Sequence, residues 1–223
     1  MIRICVGFDQ RESVAYHVFC QSVLERSSSP VSLTPLALNT LSKYNETHGD
    51  GSNEFIYSRF LVPFLMEYSG WAIFADGDMV CRDDIAKLWA LRDDSKAVMV
   101  VKHDYKTKAH DKYLGNKNEN YPRKNWTSVI LWNCGHPLNN RLDPQYVMSH
   151  PGSHLHRFAW LPDDLIGDLP REWNWLTTEY PDNYEAKLLH FTLGTPCFKD
   201  YWNCEMADVW HDAYSRVTQG IGV

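Results

Sequence analysis

The residues of this 223-residue chain best suited to chemistry are Asp76 and Asp78, two carboxylates spaced i, i+2 around Gly77. The apolar run Trp71-Ala72-Ile73-Phe74-Ala75 leads into them and Met79-Val80 follows. Neighbouring carboxylates repel one another unless a cation lies between them. Hard oxygen ligands in this number suit Mn²⁺ or Mg²⁺, which keep open positions for phosphate oxygens. Gly77 allows a tight turn and the close approach of a ligand. The plain alternative is a solvated turn, since Asp-Gly is a frequent turn dipeptide. Apolar residues on both flanks weigh against it. Zinc could be sought at Cys134-Gly135-His136 or at His150, His154 and His156, but neither set has a structural zinc spacing, so loop histidines are the expectation there.

An acidic pair of this kind needs a strand to present it, and the sequence supplies one in Trp71–Ala75. In an open α/β sheet, ligands bind beyond the carboxyl ends of the strands, which is where Asp76 falls. The chain opens with a strand over Ile2–Phe8 ending at Asp9, followed by a helix over about Arg11–Arg26 with Val14, Ala15, Val18, Phe19 and Val23 on one face. Ser27-Ser28-Ser29-Pro30 stops that helix and Val31–Leu38 resumes as a strand. This β-α-β opening predicts a mostly parallel, doubly wound sheet flanked by helices. A second amphipathic helix is predicted over Glu54–Tyr68, with Pro63 kinking it or marking a late start. A short helix follows over Ile85–Leu91, capped by Asp83 or Asp84. Ala97–Val101, Val129–Trp132 and Ala186–Phe191 read as strands, and Asp143-Pro144 as a helix start. Lys102–Lys124 is charged and aperiodic, a mobile or ligand-covering loop. A final helix over Tyr201–Val217 could face the core or the partner in a homodimer. The expected organisation is a single domain, 1–223, in two halves of about 1–100 and about 101–223.

Composition narrows the class. A formal net charge of −6, with no dense basic run, argues against nucleic acid as a partner. An acidic protein that handles an anionic nucleotide needs a bridging cation. Nine Trp and twelve Tyr suit sugar rings and bases, although aromatics also fill cores. No stretch reaches the ~20 apolar residues of a membrane helix, and none reads as a signal peptide. Six scattered cysteines without a Cys-x-x-Cys pair are expected to be reduced thiols, and the protein to be cytoplasmic.

Several blocks together resemble family-eight glycosyltransferases, the group of glycogenin and the lipopolysaccharide galactosyltransferases. They are Tyr57-Ser58-Arg59-Phe60, Trp71–Val80 with its Asp-x-Asp, Asp83-Asp84-Ile85 with Leu88-Trp89, and Trp126–Asn133. Leu161-Pro162-Asp163-Asp164-Leu165 and His190-Phe191-Thr192-Leu193-Gly194-Thr195-Pro196 complete the set in the family's order. The resemblance implies a GT-A-type fold and transfer of a hexose from a nucleotide sugar, a UDP-sugar, to an acceptor hydroxyl with retention. It implies that Asp76, Asp78 and His190 bind the metal, and that Arg59 reaches back to the Asp-x-Asp loop or the donor. Gly7, Phe8 and Asp9 would line the nucleotide pocket, Asp9 accepting a hydrogen bond from the base; a turn-capping role for Asp9 is compatible with this. Asp163 and Asp164 would lie beside the transferred sugar.

Three departures accompany the resemblance. The family's phosphate-binding lysine is missing, because Thr195 and Cys197 flank Pro196, and Lys199 or Lys187 is left to replace it. His190 and Gly194 stand one residue further apart than usual, and Trp126 occupies the place of an asparagine, with Asn125 adjacent. A sugar-phosphate nucleotidyltransferase is the rival enzyme class, but Gly7-Phe8-Asp9-Gln10-Arg11 lacks the glycine density to cradle a triphosphate. A non-catalytic nucleotide- or glycan-binding protein on the same fold is the third reading. Acceptor recognition is expected from the loops Asn39–Asn53, Lys102–Lys124 and His150–Trp160.

Overall fold

The computed structural model describes residues 1–219. Strand β1 (Ile2–Gly7) ends at Asp9, whose side chain accepts from the Arg11 amide and caps a single 3₁₀ turn before helix α1 (Ser13–Leu24). Strand β2 (Val31–Leu36) returns beside β1 in parallel register, Ile2 opposite Val31. The β-α-β opening is therefore present as the apolar periodicity predicts.

The helix expected over Glu54–Tyr68 breaks into a 3₁₀ turn, Ser58–Leu61, and a one-turn helix α2 (Val62–Leu65). Pro63 has no N–H to continue the ladder, and Glu67 and Tyr68 both take positive φ. Strand β3 (Trp71–Ala75) is buried along its whole length and pairs in parallel with β1. After the Asp-Gly-Asp turn come β4 (Met79–Cys81) and α3 (Ile85–Trp89), the latter capped by Asp84.

Strand β5 (Val98–Val100) and strand β6 (Val129–Asn133) lie side by side but antiparallel, and β6 is also antiparallel to β3. The segment 101–128 between them contains no crossover helix, only a 3₁₀ turn at Tyr113–Gly115 and a bridge between Asp111 and Lys117. A connection that stays at one end of the sheet can only send the next strand back the way it came. Helices α4 (Pro144–Ser149), with Asp143 as its cap, and α5 (Gly152–Leu155) precede β7 (Ile166–Asp168), which joins β5 in parallel. The central sheet thus reads β2-β1-β3-β6-β5-β7, mainly parallel with β6 reversed.

Strands β8 (Trp175–Leu176) and β9 (Leu188–His190) form a small second sheet with β4, in the order β4-β9-β8. Its register sets Met79 opposite His190. Helix α6 (Ala207–Val217) covers this sheet, burying Trp210 and Ala213 against Val18, Val80 and Leu189, so its apolar face is spent on the core. One side of the central sheet packs Phe60, Phe74, Trp132 and Trp160; the other packs Ile4, Phe19, Val23 and Ile73. Among the described residues no helix is long and apolar enough to cross a membrane.

Candidate metal and nucleotide site

Asp76 leaves the carboxyl end of β3 and its amide donates to the Ser128 carbonyl, so the turn begins while still tied to β6. A Cβ on Gly77 would stand 2.3 Å from the Gly7 carbonyl oxygen; only glycine lets the turn lie directly on the end of β1. Asp78 then passes the chain to β4, and its carbonyl accepts from the Phe191 amide. Because β4 and β9 pair with Met79 opposite His190, a residue 112 positions away in sequence comes to face the two aspartates.

All three side chains are buried, Asp76 at 6%, Asp78 at 7% and His190 at 2% exposure. Nε2 of His190 lies 3.3 Å from Asp78 Oδ1 and 3.8 Å from Asp76 Oδ2. Its other nitrogen, Nδ1, lies 3.0 Å from Oδ1 of the fully buried Asn174. Asn174 is itself oriented, because its amide donates to Ser128 Oγ at 2.8 Å and to the Asn125 carbonyl at 3.3 Å. That leaves Oδ1 as the atom facing His190, so Nδ1 carries the proton and Nε2 presents a lone pair. That lone pair faces the two carboxylates. Asp78 Oδ1 accepts no hydrogen bond, and Asp76 Oδ1 meets only the guanidinium of Arg59. One donor atom from each residue falls within 4.8 Å of the others, and this is the one such trio among the described residues. Two carboxylates and a neutral imidazole, buried and short of donors, fit a divalent cation. The histidine and cysteine sets at 134–136 and 150–156 assemble no such trio.

Arg59, on the 3₁₀ turn before α2, places Nη1 2.9 Å from Asp76 Oδ1 and 2.8 Å from the Thr127 carbonyl. Its guanidinium lies over the rings of Phe74 and Phe55. Burial drives the Asp76 carboxyl up to about 7, while Arg59 pulls it down and Asp78 pushes it up. A carboxyl poised in this way binds a cation with release of a proton.

Gly7 lies under the Asp-Gly-Asp turn and Phe8 rests edge-on against Tyr16. Asp9 Oδ1 accepts from Arg11 N and Nε, and Oδ2 from Arg11 Nη2 and the Glu54 amide, which fills its four lone-pair sites. The turn-capping role is therefore realised, and a base could bond to Asp9 only by displacing Arg11 or Glu54. Gly194, at φ 153°, lets Tyr201 and Tyr113 close over it where a Cβ would collide with both. Lys199 is exposed at the start of a 3₁₀ turn.

Asp163 and Asp164 are not brought to the cluster. They precede β7, which begins level with Val98, Trp132 and Ala72 and so near the amino-terminal end of β3, whereas Asp76 emerges from the opposite end. The Asp163 carboxylate, 81% exposed, instead pairs with Arg123 at 2.6 Å.

Sequence reasoning passed over three residues. Asn174 has no local signal, being one amide in a 3₁₀ turn. Glu12 is buried beside the cluster and accepts from Tyr113 Oη at 3.0 Å; burial first, then the charge of Asp78, raises its carboxyl well above the usual range. Lys112 borders the cavity that contains Asp76, Asp78 and His190. That cavity, about 60 Å³, adjoins a larger one of about 540 Å³ walled by Asp50, Tyr57, Lys112, Tyr121 and His156, among others.

The model of glycosyl transferase family 8 matches residues 10–138. Protein CDI of Arabidopsis thaliana is 44% identical over 217 residues, covering 93% of this chain and 84% of that protein. The chain therefore belongs to glycosyl transferase family 8. Among solved structures it is similar to the bifunctional glycosyltransferase WbbM, at TM-score 0.68 and 14% identity over 96% of this chain and 49% of that one. It is similar to GlyE of Streptococcus pneumoniae TIGR4 at 0.64 and 12%, covering 97% and 63%. The galactosyltransferase LgtC, solved with donor and acceptor sugar analogues, matches at 0.60 and 14% over 97% of this chain and 96% of its own. This chain spans about half the length of WbbM. These likenesses establish the GT-A fold of a glycosyltransferase.

Proposed function

We propose that the protein transfers a hexose from a nucleotide sugar, a UDP-sugar, to an acceptor hydroxyl, using Mn²⁺ or Mg²⁺ and retaining the anomeric configuration. The observation that carries this is the buried trio Asp76, Asp78 and His190, with the His190 proton held away on Nδ1 by Asn174. The metal would neutralise the charge of the departing diphosphate, which needs a Lewis acid more than a proton. Asp76, Asp78 and His190 Nε2 would hold it. Arg59, bound at once to Asp76 and to the Thr127 carbonyl, keeps Asp76 turned toward that position. Gly7 and Phe8 would border the nucleoside, since the end of β1 lies beneath Gly77. The cavity of about 540 Å³ suits the sugar and acceptor. Its walls come from 50–57, 112–124 and 152–157, and all but Ile56 and Tyr57 belong to the three segments expected to choose the acceptor. Retention is supported by membership of family 8. Asp163 and Asp164, exposed as they stand, would reach the sugar only after the chain around β7 moved.

The test is turnover of UDP-hexoses with and without Mn²⁺, in the parent protein and in Asp76→Asn and Asp78→Asn. Release of UDP that depends on Mn²⁺ and falls by about 100-fold or more in both variants is the expected result. Equal metal-dependent activity in both variants would sink the site assignment. Tight Mn²⁺-dependent UDP binding without any release across a broad acceptor panel would favour a binding protein instead.

A further inference from the structure

The segment after His190 offers no cation to a diphosphate. Thr195 is buried with its hydroxyl 2.8 Å from Cys197 Sγ. Lys199 is exposed, and Lys187 lies with its ammonium 5.4 Å from the centre of the Trp173 ring. Neither borders the cavity that holds Asp76, Asp78 and His190. Lys112 borders it, from the 102–124 loop. The backbone on either side of Lys112 is fixed: its own amide donates to the Asn116 carbonyl at 2.7 Å, and the Tyr113 amide donates to the Leu193 carbonyl at 2.7 Å. The Tyr113 ring stacks on Phe198 at 5.0 Å, so the loop is clamped onto the strand-end segment that follows His190.

The side chain of Lys112 is half-buried, and Asp76 pairs instead with Arg59. Among the described residues no carboxylate lies within ion-pair distance of Lys112. Burial draws its ammonium below the ordinary lysine value, opposed first by the charge of Asp78 and then by that of Asp76. A half-buried cation facing a metal cluster without a direct partner is suited to an anion that arrives from outside. The charge count points the same way. Arg59 and a divalent cation offset the two aspartates with one charge to spare, whereas a diphosphate brings at least two. Lys112 also stands at the junction of the 60 Å³ and 540 Å³ cavities, between the metal and the space proposed for the sugar.

We infer that Lys112 is the cation that grips the donor diphosphate, supplied by the 102–124 loop in place of a lysine after His190. This rests on the nucleotide-sugar reading above. The test is calorimetric titration of UDP, with Mn²⁺ saturating, into the parent protein and Lys112→Met, Lys112→Gln and Lys112→Arg. Binding of uridine is followed in parallel by ligand-observed NMR. The neutral variants should weaken UDP by roughly 10- to 100-fold and leave uridine unchanged, while Lys112→Arg stays within about threefold of the parent. Thermal unfolding of each variant monitors folding. Unchanged UDP binding in the neutral variants overturns the inference, as does equal weakening of UDP and uridine, or a loss in Lys199→Met that Lys112→Met does not show. Failure of the parent to bind any nucleoside diphosphate with Mn²⁺ overturns the nucleotide-sugar reading itself and takes the role of Lys112 with it.

Discussion

Replacing Asn174 by leucine keeps the branching and heavy-atom count of the side chain and deletes the group that fixes the His190 tautomer. Three hydrogen bonds vanish, at 3.0 Å to His190 Nδ1, 2.8 Å to Ser128 Oγ and 3.3 Å to the Asn125 carbonyl. Ser128 Oγ keeps its bond to the Asn125 carbonyl at 2.7 Å, so the burden falls on the orphaned Nδ1–H, buried at 2% exposure. At about 0.5–1.5 kcal/mol for each bond lost, and more where a buried donor is left alone, the cost to stability is about 2–4 kcal/mol. The imidazole is then free to turn or to move its proton to Nε2, which blocks the lone pair offered to the metal. Loss of such a supporting partner typically weakens metal affinity by about 10- to 100-fold. The assay is Mn²⁺ titration by calorimetry at neutral pH, with urea unfolding in chelator measuring stability apart from metal. Asn174→Asp is the companion variant. It still accepts from Nδ1–H but sets a carboxylate against the Asn125 carbonyl, so it should lose stability and keep more metal affinity than Asn174→Leu. A folded Asn174→Leu that binds Mn²⁺ within about twofold of the parent would refute the proposed tautomer and the role of His190 as a ligand.

Two other perturbations separate packing from charge. Gly77→Ala forces a methyl to within 2.3 Å of the Gly7 carbonyl, so the Asp-Gly-Asp turn must lift from β1. A loss of about 1–3 kcal/mol is expected, with weaker Mn²⁺ binding, read from urea midpoints and calorimetry; a stability equal to the parent would contradict the contact. His103, 6% exposed, is drawn down from 6.5 to about 3, chiefly by burial. Between those values the unfolded chain holds a proton that the folded one does not, so stability falls as pH drops below 6.5, by about 1.4 kcal/mol per unit. His103→Gln should remove that slope, and parallel stability–pH curves from urea unfolding for the two proteins would disprove it.

How much of the molecule could be read from the chain differs element by element. The run Trp71–Ala75 ending on Asp76-Gly77-Asp78 is a local pattern, and β3 and its turn lie where that pattern puts them. The β-α-β opening, the Asp84 and Asp143 caps and the irregular 102–124 loop are local too. The helix predicted over Glu54–Tyr68 does not form as one element, because side-chain periodicity survives in a 3₁₀ turn followed by a proline while the hydrogen-bond ladder does not. The direction of β6 was not legible, since apolar content is the same for a strand running either way. It follows from where the preceding loop leaves the sheet.

The sequence by itself determined that two carboxylates stand at the end of a buried strand, and the order of its motif blocks determined the family. The tertiary structure decided which distant groups complete the site. His190 reaches the aspartates because β4 and β9 share a register that sets it opposite Met79, and Asn174 reaches His190 through a turn near that sheet. The same structure holds Asp163 and Asp164 away, because β7 begins at the far end of the sheet, and brings in Lys112 and Glu12 from separate loops. A motif encodes what one segment can do. Which segments meet depends on strand register and direction, and these are settled by long-range burial and hydrogen bonding that no local pattern contains.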